Sequence, residues 1–213
     1  MLISHSSQDS TGTLLLALHE MKLTGDKVLS FSPGQYHFYP DYALEKVSCI
    51  SNHDNDGFKK IGIPLLDFDG LTVDGNGAEF VFHDVMVPLE IGNCKNITIR
   101  NLSIDCAVPQ YAHATVLEST HNHLRLRIWD NAIYQISHQQ LQFSLDGSTF
   151  YNADFFLDID PVTDMVTEGT YRIPCTDTYA EIDRMDSRTV TLRGELIHTP
   201  APGDILCFHF GKR

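Results

Sequence analysis

Asn52-His53-Asp54, Asp74 in LTVDGNG and Asp105 at the end of ITIRNLSID are the groups whose types and settings could do chemistry. A His beside an Asp and an Asn offers donors and acceptors suited to sugar hydroxyls. The same residues also satisfy their own backbone in an ordinary polar loop. Asp54-Asn55-Asp56-Gly57 hints at a calcium loop, but the later ligands and the closing Glu are missing, so no metal is expected. Asp74 precedes Gly75 and is expected to turn a corner. Asp105 either caps a turn or faces a groove at the end of its strand. Glu79 and Glu90 are single acids in apolar runs and read as outward-facing strand positions.

Other chemical signatures are missing. The eleven His show no HExxH pattern, and no GxSxG elbow or phosphate-binding loop occurs. Asp74-Gly75-Asn76-Gly77 is followed by the strand-like EFVF rather than a helix, so it cannot cradle a phosphate on a helix start. Five scattered Cys with no CxxC pair argue against zinc and read as small buried apolar residues. Trp129 sits in RLRIWDN, whose alternation gives it a core or rim role rather than that of a sugar platform.

Fifteen Lys and Arg stand against 28 Asp and Glu, a formal charge of −13 over 213 residues. That balance repels phosphate backbones and anionic lipid, so nucleic acid and membrane surfaces are poor partners. A neutral carbohydrate is compatible with it. No stretch reaches the length of a membrane-spanning helix. MLISHSSQDSTG lacks the basic start and apolar run of a signal peptide.

The elements that must position these groups are mostly strands. Residues 9–22 carry Leu14, Leu15, Leu18 and Met21 at helical spacing, with Ser10, Thr11 or Thr13 to cap the start. Residues 28–41 read as strand, Pro33-Gly34 turn, strand. Leu71-Thr72-Val73-Asp74 aligns with Ile97-Thr98-Ile99-Arg100 at an offset of 26 residues. Each unit is a short β-branched strand, a turn rich in Gly or Asn, and a second strand, the pattern of a parallel solenoid. The Asn of the sequons Asn96-Ile97-Thr98 and Asn101-Leu102-Ser103 are therefore read as stacked corner residues. The early helix would cover one end of the stack. After Pro109, the segments ATVLES, HLRLRIWDN, LQFSLDG, RTVTLRGEL and GDILCFHF alternate without that spacing, which predicts an antiparallel sheet or small barrel.

VSCISNHDNDG, LTVDGNGAEFVFHDVMVPLEI and CKNITIRNLSIDCAVP together resemble the N-terminal region of bacterial α-1,3-galactosidases, enzymes that remove the terminal galactose of the blood-group B antigen. The helix with SPGQYHFYPD and the tail TPAPGDILCFHFGKR fit the same family. The resemblance implies a right-handed parallel β-helix with β-barrel insertions, and hydrolysis with inversion and no cofactor. It implies residues 1–110 as cap and first coils, and 111–213 as a barrel-like insertion after which the β-helix would resume. The catalytic carboxylates are expected on later coils, so none is expected in this chain. His53, Asp54 and Asp105 are the substrate-binding candidates, with a galactose-terminated glycan as partner. The open end of the stack predicts self-association. The full-length protein is expected to be periplasmic or secreted. A non-catalytic carbohydrate-binding or scaffold module and, more remotely, a polysaccharide lyase are the competing readings.

Overall fold

The computed structural model describes residues 1–5, 8–49, 56–170, 173–175 and 181–211. The described residues are mainly β with one helix, and the chain divides into two compact units, Met1–Ala107 and Val108–Arg213.

The first unit contains β1 (Leu2–Ile3), α1 (Thr11–Thr24), β2 (Val28–Phe31), β3 (Gln35–Phe38), β4 (Leu44–Ser48), β5 (Gly57–Leu66), β6 (Thr72–Phe82), β7 (Val87–Gly92) and β8 (Thr98–Cys106). In one sheet β1, β2, β6 and β3 follow each other and β8 pairs with β6; every pairing is parallel. β2 lies along the first half of β6 and β3 along its second half, so the Ser32-Pro33-Gly34 turn stands beside the bend at Gly75–Gly77. β8 pairs Thr98 with Thr72 and Arg100 with Asp74, 26 residues apart. β5 and β7 are parallel at the same spacing, Ile63 opposite Leu89, while β4 joins β5 antiparallel.

Alternation explains which residues fill this unit. Tyr36 and Phe38 of β3, and Phe80 and Phe82 of β6, turn inward with Phe31 of β2. Their rings meet edge to face, Phe31 and Phe80 at 4.8 Å and Phe31 and Tyr36 at 5.1 Å between centroids. Tyr36 keeps its hydroxyl satisfied, its oxygen lying 3.0 Å from the carbonyl of Ile3 and 2.9 Å from that of Ser32, one of which takes its single hydrogen. α1 adds Leu14, Ala17, Leu18 and Met21 to the same core. Its start differs from expectation: Ser10 is the N-cap but makes no side-chain cap bond. Asp9 takes that part, its Oδ1 accepting from Thr11 N at 2.8 Å. Gly25 ends the helix in the left-handed region, φ 79°.

The second unit contains β9 (Tyr111–Thr120), β10 (His123–Ile128), β11 (Ile133–Ser137), β12 (Gln140–Ser144), β13 (Tyr151–Asn152), β14 (Phe155–Asp160), β15 (Met165–Val166), β16 (Ile173–Pro174), β17 (Glu181–Arg184), β18 (Thr189–Arg193) and β19 (Ile205–His209). Its larger sheet runs β15-β14-β19-β9-β10-β18-β17 with β16 on β14, and the smaller one runs β11-β12-β13; the pairings are antiparallel. HLRLRI shows why: Leu124, Leu126 and Ile128 are buried while Arg125 and Arg127 are exposed. Phe143, Phe156, Leu206 and Phe208 complete the core.

Candidate functional site

Asp74 is a structural group. Its Oδ1 accepts from Asn76 N at 3.1 Å, which makes the expected turn, and from Asn101 Nδ2 at 3.0 Å, which the turn reading missed. Its Oδ2 accepts from Arg100 Nε at 2.8 Å. The bond from Asn101 leads in holding this carboxyl below the usual carboxylate range, with the Asn76 backbone and Arg100 adding to it.

The same pairing recurs along the corner. Asn93 Nδ2 donates to Asp67 Oδ1 at 2.6 Å, and Asn96 Nδ2 to Asp69 Oδ1 at 3.0 Å. Asp67 and Asn93 both take positive φ, 57° and 51°, as do Gly70 and Asn96, 78° and 55°. Asn and Gly enter that region at little cost, which is why the corners carry them. The Asn of both sequons are thus bonded inside the corners rather than free.

The opposite, outward face of β3, β6 and β8 collects the groups with chemical potential. Parallel register sets Gln35, Glu79 and Ser103 in one row, and His37, Val81 and Asp105 in the next. Asp9 continues the second row by a parallel bridge to His37. Gln35 Nε2 donates to Glu79 Oε2 at 3.0 Å. His37 Nδ1, on β3, and His83 Nε2, just past the end of β6, lie 2.9 Å apart in a hydrogen bond. The His83 ring stacks on Tyr39 at 4.0 Å and 9°. Burial, and then the neighbouring His37, hold His83 below the ordinary imidazole value, while Asp9 opposes them.

Asp105 is exposed on this face, with Oδ1 accepting from Cys106 N at 2.8 Å. It lies two strands from His37, about 10 Å at the usual strand spacing. His53 and Asp54 lie outside the described residues, as does the first half of the Asp54–Gly57 stretch considered for calcium. Glu79 is exposed as expected, and Glu90 is bonded by Lys46. Trp129 follows β10, donates from Nε1 to Thr115 Oγ1 at 3.0 Å, and lies 5.0 Å from the His113 ring.

A further cluster escaped the sequence. Asp158 on β14 is fully buried, and its Oδ2 lies 2.6 Å from His198 Nε2. Its Oδ1 has no hydrogen-bond partner. Burial pushes the Asp158 carboxyl up, His198 opposes that, and Asp204 adds to it. The arrangement is an imidazole oriented by a buried carboxylate, suited to accept or hold a proton. The signal was present in FFLDID, where Asp158 shares the inward face with Phe156.

A small concavity in the second unit is lined by Gln139, Asn152, Cys175, Ile182, Leu192 and Phe208. Burial raises the Cys175 thiol far above its ordinary value, so this sulfur is an inert wall rather than a nucleophile. Among the described residues no three His, Cys, Asp or Glu gather as metal ligands, and no disulfide joins any two of the Cys. Among the described residues no helix is long and apolar enough to cross a membrane.

No family model matches the chain. Curated relatives do. A protein of Phocaeicola vulgatus named alpha-1,3-galactosidase B is 43% identical over 122 residues, 55% of this chain and 20% of that protein. An alpha-1,3-galactosidase B of Bacteroides thetaiotaomicron is 31% identical over 157 residues, 72% of this chain and 25% of the relative. An alpha-1,3-galactosidase A of Shewanella woodyi is 32% identical over 145 residues, 67% of this chain and 24% of the relative. The chain is similar to a portion of bacterial α-1,3-galactosidases, and it spans a fifth to a quarter of the length of these relatives.

Proposed function

We propose that this chain is the N-terminal portion of a glycoside hydrolase that removes terminal α-1,3-linked galactose with inversion. Its first unit is the opening of a right-handed parallel β-helix, and its second a barrel-like insertion. The observation that carries this reading is the spacing of 26 residues between parallel partners in β5 and β7 and in the first part of β6 and β8, where a bulge after Asp74 then shifts the register, with Asp–Asn bonds at the corners. Parallel strands at a recurring spacing, joined by short corners, are the geometry of a stacked solenoid. The names of the relatives supply the substrate class.

Inverting hydrolysis needs a carboxylic acid to protonate the leaving oxygen and a carboxylate to activate water, roughly 6.5–9.5 Å apart. Asp74 cannot serve, because Arg100, Asn101 and Asn76 occupy its oxygens. Asp105 is free to touch sugar but has no second carboxylate in its row within β3, β6 and β8. The acid pair is therefore assigned to later coils of a longer protein, with His53, Asp54 and Asp105 as contacts to a galactose-terminated glycan. That protein would be periplasmic or secreted. Self-association through β7 and β8 fits the exposure of Ile91 and Ile104 there.

Two assays test this. Residues 1–213 alone should release no nitrophenol from a nitrophenyl α-galactoside, whereas the protein with its downstream coils should. Turnover by the short chain that Asp105→Asn abolishes would sink the assignment of the acids. A stop codon after Arg213, with no downstream coils of similar spacing, would favour a non-catalytic carbohydrate-binding or scaffold module. A preference for acidic over neutral glycans would favour a lyase, against the charge of −13.

A further inference from the structure

We propose that His37 and His83 form a proton-operated latch that ties β3 to β6 in neutral solution and opens in acid, uncovering the Tyr39 ring on the outward face. Two imidazole nitrogens 2.9 Å apart share one hydrogen, one ring donating and the other accepting. A first added proton is accommodated, because imidazolium donates to imidazole across the same gap. A second is not. Both facing nitrogens would then carry hydrogen, the bond would be lost, and two cations would stand in contact. The rings must part, and His83 leaves the face of Tyr39, on which it lies at 4.0 Å.

The surroundings set where this happens. Asp9, in register with His37, is the acid that favours the charged form. From β3 come Tyr39 and, one row back, Gln35; from β6 come apolar Val81 and, one row back, Glu79. Gln35 already occupies Glu79. Asp84 follows His83, and its Oδ1 is taken by Val85 N at 2.7 Å. Asp105 on β8 stands two strands away, beyond Val81. One acid therefore faces the pair closely, too few to neutralise two imidazolium ions. The folded protein binds the second proton less readily than the unfolded chain, whose His titrates near 6.5. Stability from the latch is present above that value and lost as pH falls below it.

An NMR titration of the full chain tests the latch through the His37, His83 and Tyr39 ring resonances. His83 should titrate below 6.5, and the Tyr39 ring should shift with the same inflection. His37→Gln keeps a hydrogen-bonding partner but no charge, and should move the His83 inflection upward. His83→Gln should abolish the pH response of Tyr39. His83 titrating at or above its ordinary value in the unaltered chain, or a Tyr39 ring indifferent to His83 protonation, would overturn the proposal whether or not either variant folds.

Discussion

Asn101 Nδ2 reaches across from β8 to Asp74 Oδ1 on β6, a bond of 3.0 Å between neighbouring parallel strands. With Asn93 on Asp67 and Asn96 on Asp69, it fastens one corner of the first unit at three points. Asp74→Ala should lower the urea midpoint of that unit, because Asn101, Asn76 N and Arg100 all lose their acceptor. Asp74→Asn should cost less, since one acceptor oxygen remains.

The same carboxylate gives an acid dependence. Its folded pKa lies below the ordinary 3.8, so its contribution is present above that value and lost as pH falls through the depressed one. The acid limb of the stability profile should flatten in Asp74→Asn, read by circular dichroism against pH. An unchanged limb would assign the acid sensitivity elsewhere.

Gly75 is required by closeness. A Cβ there would stand 2.5 Å from Leu102 Cβ and 2.6 Å from Asn101 O. Gly75→Ala should destabilise the first unit by about 1–3 kcal/mol, because backbone has to move. Gly77, at φ 84° with open space around it, should tolerate Asn better than Ala. Urea denaturation of the three variants checks the order.

Phe80 is the hub of the aromatic core, touching Phe31, Tyr36 and Phe38. Phe80→Ala should cost about 3–5 kcal/mol in the urea-determined stability. Phe80→Leu should recover much of that through its bulk.

Asp158 predicts the opposite pH sign in the second unit. Its folded pKa is raised, so its favourable protonated form is fully present below 3.8 and is lost as pH rises through the raised value. Asp158→Asn should flatten this dependence above about pH 4. Trp129, the single Trp, reports unfolding of this unit by fluorescence.

Much of the framework was legible because it is local. Helical spacing marked α1, and alternation marked β2, β3, β9, β10, β12, β18 and β19. Aligning Leu71–Asp74 with Ile97–Arg100 names the residues that stand opposite each other in β6 and β8. Ser10 is the N-cap, one of the three residues expected there, but the side-chain bond to the helix start comes from Asp9, which only the backbone geometry reveals. The candidate face was mostly hidden. His37 and His83 are 46 residues apart and meet only because β3 lies along the far half of β6. Asp158 and His198, 40 apart, depend on β14 and on the segment before β19. Asp105 was visible by type, but its row with His37 needed the register.

The left-handed corners at Asp67, Gly70, Asn93 and Asn96 also restrict how this chain can change in length. Each Asn meets its Asp only while the path between them keeps 26 or 27 residues. Removing one residue between Asp74 and Asn93 would shift all three Asn out of step with their partners and turn the following strand inside out. The loop Ser144–Thr149 of the second unit, closed on its own Asp146, has no such counterpart to match. Insertions and deletions among related chains should therefore gather in the second unit, while the corners of the first change residue type but not length.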